Sequence, residues 1–146
     1  MSEQTADYVV DASVVIQRLI RDTYTPHARA LFDRLDDLTR VHVPEFCLLE
    51  CTNVLWKEVR FRGMPPTTAK LLIGDLRALP LNVADITVVL ERALEIGLQH
   101  QLAVYDSAYI ALAERLSYPF ITVDARQEQV ARAIGVTLKP ITDFSD

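Results

Sequence analysis

Four carboxylates in this chain stand where their residue type and surroundings suggest chemistry. Asp11 sits at the centre of the apolar run YVVDASVVI (8–16). A carboxylate buried there without a partner costs several kcal/mol or gives up its charge. Asp124 closes another apolar run, FITVD (120–124), and Asp106 opens the helical pattern DSAYIALAERL (106–116). Capping is the commoner role for any of these three taken alone, worth about 1 kcal/mol, and Gln127 follows Asp124 at capping-box spacing. Glu50 differs because it lies mid-helix in PEFCLLECTNVLWKEV (44–59), on a face with Phe46, Asn53 and Val54 that is predicted to turn inward. An inward glutamate needs a salt bridge or a shared metal. If all four carboxylates met in one cleft, their repulsion would call for cations, and an all-oxygen donor set selects Mg²⁺ or Mn²⁺ over zinc. Such a site can clamp a phosphodiester and activate water.

The elements that must position these groups alternate. Short β-branched runs occur at DYVVD (7–11), RVHVP (40–44), YPFITVD (118–124) and GVTLKPI (135–141), with a weaker one at PLNVA (80–84). Helical patterns fill the intervals at 13–21, 26–37, 45–62, 67–79, 86–99, 105–116 and 125–134. In the fourth helix Gly74 lies internally, at about 1 kcal/mol relative to alanine. Gly63 followed by Pro65 and Pro66 reads as a helix stop and a helix start inside one domain spanning 1–146. The alternation predicts an α/β fold with a mostly parallel sheet covered on both faces. Ligands in such folds bind beyond the carboxyl ends of the strands, which is where Asp11 and Asp124 fall.

Composition bounds the rest. With 146 residues, half of them hydrophobic, the chain can bury a sizeable core without cofactor or disulfide, and disorder is expected only at 1–6 and 142–146. The start MSEQTADY lacks the features of a secretory signal and no apolar run is long enough to span a membrane, so the expected location is cytoplasmic. Cys47 and Cys51 lack the second ligand pair of a zinc site and read as reduced core thiols. A net charge of −5 argues against coating nucleic acid by bulk electrostatics. Local basic clusters remain at Arg18 and Arg21 and at Lys57, Arg60 and Arg62, although a solvated helix face is the commoner explanation for each taken alone.

The stretches VVDASVVI, VPEFCLLECTNVLWK, LAVYDSAYIALAERL and PFITVDARQ occur in an order and at intervals that resemble a PIN domain. The resemblance is to the toxin ribonucleases of VapBC-type toxin–antitoxin pairs, and it covers essentially the whole chain. It implies a three-layer α/β/α fold on a five-stranded parallel sheet in the order 3-2-1-4-5. It also implies a metal-dependent endoribonuclease in which Asp11, Glu50, Asp106 and Asp124 hold one or two Mg²⁺ or Mn²⁺ ions, with Thr122 and Ser13 in support. Water attacking phosphorus in line would leave a 5′-phosphate and a 3′-hydroxyl. The implied partners are RNA, a VapB-like antitoxin that places an arginine among the carboxylates, and a second copy of the chain. His27, His42 and His100 fall outside the four motifs and read as surface or packing residues. Arg18, Arg21, Lys57, Arg60 and Arg62 are candidates for phosphate contact, and Tyr24, Trp56 and Tyr109 for base stacking, with core or dimer packing the alternative for the last two.

Three other readings compete. An aspartate-nucleophile phosphatase calls for a second Asp two residues after the first, where this chain has Ser13. A receiver-like phosphoacceptor lacks its extra acidic residue and its late lysine. A non-catalytic RNA- or protein-binding module would keep the carboxylates for structure alone.

Overall fold

The computed structural model describes residues 4–146. Its order is β1 (Ala6–Val10), α1 (Ala12–Leu19), α2 (Thr25–Phe32), β2 (Thr39–Pro44), α3 (Phe46–Arg62), α4 (Pro66–Ala78), β3 (Asn82–Ala84), a 3-10 turn (Thr87–Val89), α5 (Leu90–His100), α6 (Val104–Leu116), β4 (Phe120–Ile121) and α7 (Ala125–Ile134). A second 3-10 turn covers Ile141–Asp143. The strands form one parallel sheet in the order β3-β2-β1-β4, with Val9 opposite both His42 and Phe120. Val9, Val10, Val41, Val43, Phe120 and Ile121 are fully buried, as strands covered on both faces must be.

The sheet has four strands among the described residues, and the expected fifth is reduced. From the run at 135–141 only Leu138 pairs, in a single parallel bridge to Phe120. Proline explains part of this, because Pro140 ends the run and donates no ladder hydrogen bond. The C-terminal segment also departs from the disorder expected of it. Phe144 is buried, meets Tyr8 edge-on at 5.6 Å, and its carbonyl accepts a 2.7 Å hydrogen bond from His27 Nδ1. At the other end, the expectation for 1–3 lies outside the described residues, while Ala6 already pairs in β1.

Helix boundaries follow local chemistry. Gly63 ends α3 at φ 79°, a left-handed conformation that favours glycine, and Pro66 opens α4 in the first turn. Gly97 serves a different purpose, since a Cβ there would lie 2.8 Å from the carbonyl oxygen of Leu102. That close approach lets α5 turn tightly into α6, which carries Asp106. Helix α2 stops at Phe32, short of the expected 37, and Asp36 instead accepts hydrogen bonds from the Leu38 and Thr39 amides on the way into β2. No helix among the described residues is long and apolar enough to cross a membrane.

A candidate acidic active site at the carboxyl end of the sheet

Asp11, Glu50, Asp106 and Asp124 line one cleft of about 230 Å³, together with Ser13, Tyr109 and Gln127. Two of the four arrive on strand ends. Asp11 follows β1 and caps α1, its Oδ1 accepting from the Val14 amide at 3.3 Å. Asp124 follows β4 and caps α7, its Oδ1 accepting from the Gln127 amide at 2.8 Å. Asp106 stands in the first turn of α6, and Glu50 reaches in from the second turn of α3.

Hydroxyls organise the centre. Asp11 is 3% exposed, and its two oxygens accept from Ser13 Oγ and Thr122 Oγ1, each at 2.6 Å. Thr122 Oγ1 in turn accepts from the Asp124 amide at 3.0 Å, and Ser13 Oγ accepts from the Val123 amide at 3.2 Å. These bonds tie the end of β1 to the end of β4 through side chains, beyond the point where the strands pair. The partner that the sequence demanded for Glu50 is Tyr109, whose hydroxyl donates to Oε1 at 2.6 Å.

Burial and mutual repulsion act in the same direction on three of the four. Burial pushes Asp11 up from 3.8 to about 6, with the Asp124 charge adding to it, although hydrogen bonds from Ser13, Thr122 and the Val14 amide oppose the rise. Burial also raises Glu50, against the Tyr109 bond and with help from Asp106. Asp106 rises through burial and then through Asp124. A cation would relieve all three at once. The donors are hard oxygens, and the carboxylate of Asp106 and the second oxygen of Asp124 accept no side-chain or amide hydrogen bond within the described residues. The residues therefore fit a hard divalent cation by donor type and by charge. They are not closed up into a cage, since no three or more His, Cys, Asp or Glu side chains among the described residues are grouped tightly enough to hold an ion as they stand.

Other sequence candidates fall elsewhere. Arg18 lines a separate pocket with Phe32, Asp33 and Asp75, and its buried Nε has no hydrogen-bond partner. Arg21 is exposed, as are Lys57 and Arg60, and Arg62 pairs with Glu58 at 3.3 Å. Tyr109 is 1% exposed, so it positions Glu50 and is closed to a base. His42 lies against Asp7 at 2.9 Å, away from the cleft. Asn53, expected to face inward, is exposed on the rim of a neighbouring groove. Sequence reasoning gave Gln127 a capping place only. Its buried side chain also bridges elements, with Oε1 3.3 Å from Thr122 Oγ1 and Nε2 donating to the Asp106 carbonyl at 3.2 Å. The signal was its helical spacing from Asp124, shared by Tyr109 relative to Asp106.

Comparison with known proteins fits this geometry. The chain is 29% identical over 118 residues to Ribonuclease VapC3 of Pyrobaculum aerophilum, covering 80% of this chain and 88% of that protein. It is 29% identical over 121 residues to Ribonuclease VapC12 of Mycobacterium tuberculosis, covering 83% and 89%. Among solved structures, PAE2754 from Pyrobaculum aerophilum superposes with a TM-score of 0.73 at 18% identity, over 97% of this chain and 94% of that one. FitAcB from Neisseria gonorrhoeae superposes with a TM-score of 0.59 at 14% identity, over 92% and 98%. The family model described as the PIN domain matches residues 8–133, which contain all four cleft carboxylates, and the chain belongs to that family.

Proposed function

We propose that this protein is a divalent-metal-dependent endoribonuclease, the toxin of a VapBC-type toxin–antitoxin pair, built as a single PIN-like domain over 1–146. The observation that carries the reading is the convergence of Asp11, Glu50, Asp106 and Asp124 on one cleft at the carboxyl end of a parallel sheet. The ribonuclease names of the relatives support the substrate class.

Asp11, Glu50, Asp106 and Asp124 would hold Mg²⁺ or Mn²⁺, which lowers the pKa of water and offsets charge on the scissile phosphate. The chain's own groups do the rest. Thr122 and Ser13 fix both oxygens of Asp11, and Tyr109 fixes Glu50, so the donor set is oriented before substrate arrives. The open carboxylates of Asp106 and Asp124 take up the proton of the attacking water. In-line attack on phosphorus then breaks the bond to the 3′ oxygen, which takes a proton back from the same carboxylates and leaves as a hydroxyl, while the other fragment keeps a 5′-phosphate. Lys57, Arg60, Arg62 and Arg21, all exposed, would draw the phosphate backbone over the surface, whereas Arg18 lies in its own pocket.

Two protein partners belong to the proposal. A homodimer is supported by Leu90, Leu94 and Leu98, which form an exposed aliphatic stripe along α5. A VapB-like antitoxin segment with an arginine would match the charge of the metal-free cleft. The setting is cytoplasmic.

The test is cleavage of a fluorescent mixed-sequence RNA panel in Mg²⁺ or Mn²⁺, in EDTA, and with Asp11→Asn and Asp106→Asn, using protein freed of any antitoxin. Cleavage should require both metal and carboxylates, with new 5′-phosphate ends. Cleavage retained by either variant refutes the assignment. Silence from folded, metal-supplied protein on structured and unstructured RNA favours a binding module.

A further inference from the structure

An apolar groove of about 520 Å³ beside the acidic cleft is lined by Phe46, Leu49, Asn53, Trp56 and Tyr105, with Glu50 forming part of its wall. Glu50 also lines the acidic cleft, so one side chain borders both. We propose that this groove is a nucleobase-stacking subsite that seats an unpaired base of the RNA two to three nucleotides from the phosphate held at the carboxylates. The proposal rests on the ribonuclease reading above and adds to it how single-stranded RNA is gripped.

Helical spacing builds the track. Residues 46, 49, 53, 56 and 60 recur at intervals of three and four, so they form one stripe along α3, flanked by Glu50 of the acidic cleft. Trp56 and Tyr105 are 55% and 63% exposed, which is unusual for rings of this size without a partner. Their placement is ordered, because Phe46 meets Tyr105 edge-on at 5.3 Å and Phe61 meets Trp56 edge-on at 5.9 Å. Aromatic side chains held apart from one another present ring surface for a flat guest.

The surrounding chemistry favours a nucleic-acid guest over a second protein. Asn53 and Thr52 add an amide and a hydroxyl to the wall, where they can meet a base edge. Lys57 and Arg60 stand exposed on the same stretch, and neither is in an ion pair among the described residues. In a chain of net charge −5, these two cations next to aromatic rings are a local attraction for phosphate. The scale also fits. Six residues of helix separate Glu50 from Trp56, about 9 Å at roughly 1.5 Å per residue, which is two to three stacked nucleotide steps of about 3.4 Å. The purely aliphatic stripe of α5 carries no such groups.

Trp56 is the only tryptophan in the chain, so its emission reports the groove directly. The probes are ten-nucleotide oligoadenylate, oligouridylate and a ribose-phosphate decamer without bases, added to Asp106→Asn protein in Mg²⁺. Oligoadenylate should quench the emission and bind about tenfold more tightly than the abasic decamer. Trp56→Ala should erase that preference, Trp56→Phe should keep most of it, and Tyr105→Ala should reduce it, with melting temperatures reporting the fold of each. Equal affinity for oligoadenylate and the abasic decamer overturns the proposal, as does wild-type affinity in Trp56→Ala. An emission shift that follows protein concentration without RNA also overturns it, because a second copy then fills the groove. Wild-type RNA cleavage in the same preparation separates failure of this subsite from failure of the ribonuclease reading.

Discussion

Asp11 makes the metal-free protein sensitive to pH in a direction opposite to ordinary acid denaturation. Its folded pKa is raised from 3.8 to about 6. A carboxylate raised in this way destabilises the fold once it is ionised, so stability is highest where Asp11 is protonated and falls as pH rises through 6. At about 1.36 kcal/mol per unit, the full penalty above pH 6 is roughly 3 kcal/mol. Asp11 is 3% exposed, which leaves little solvent to screen it. By pH 5 the linkage relation returns about 1.4 kcal/mol of this, a rise of roughly 3–6 °C in Tm for a chain of this size. The assay is thermal melting in EDTA at pH 7.5 and pH 5, for wild type and Asp11→Asn. Asparagine fits the hydroxyl cage, because Thr122 can turn its proton toward Gln127 Oε1, 3.3 Å away, and accept from the new amide. Wild type should melt higher at pH 5, and the variant should lose most of that gain, keeping the smaller part due to Glu50 and Asp106, which shift in the same direction. Mg²⁺ at pH 7.5 should raise the melting temperature of wild type more than that of the variant. A wild-type Tm that stays flat or falls between pH 7.5 and pH 5, or an unchanged slope in the variant, refutes the reasoning.

Three further perturbations follow from the same contacts. Tyr109→Phe removes the donor to Glu50 and should lower kcat for RNA cleavage about tenfold with KM little changed and a stability cost near 1 kcal/mol; an unaltered kcat removes Tyr109 from the positioning role. Thr122→Val leaves Asp11 Oδ2 and the Asp124 amide without their shared hydroxyl and should cost about 2–3 kcal/mol by denaturant melts, whereas Thr122→Ser keeps the hydroxyl and costs under half as much. At the far end of β1, burial alone would raise Asp7, but hydrogen bonds from Arg40, His42 and Thr5 outweigh it and bring it from 3.8 down to about 2. This contribution is present above pH 4 and is lost as pH falls through 2; because Arg40 is 39% exposed, screening leaves about 1 kcal/mol, and Asp7→Asn should flatten acid melting curves between pH 4 and pH 2.

The alternation of strands and helices was legible because the strand runs are apolar and β-branched and because stops such as Gly63, left-handed in the structure, separate helices. What was not legible depended on neighbours distant in sequence. Apart from Pro140, the run at 135–141 reads locally as a strand, yet only Leu138 finds a partner. Likewise Phe144 is held by Tyr8 and His27, residues more than a hundred positions away, so its burial leaves no local pattern. The candidate site divides the same way. Strand-end aspartates announce themselves by position, whereas Tyr109 reads as one more core aromatic until Glu50 is found within 2.6 Å of its hydroxyl.

Capping, weighed in the sequence as the rival of a site role, does not exhaust the oxygens of these side chains. Asp124 caps α7 with Oδ1 and leaves its other oxygen toward the cleft. Asp11 caps α1 with the same oxygen that Ser13 holds, and Thr122 takes the second. Three helix N-termini, those of α1, α6 and α7, therefore meet around the carboxylates, and their partial positive charge favours ionisation. That charge and the hydroxyl donors do not suffice, because Asp11, Glu50 and Asp106 remain shifted toward protonation. The fold has thus used its neutral means of holding negative charge at this point and still carries an excess. Under the proposal, that residual excess is what makes a divalent cation part of the working site, and it is why an arginine from a partner could take the same place.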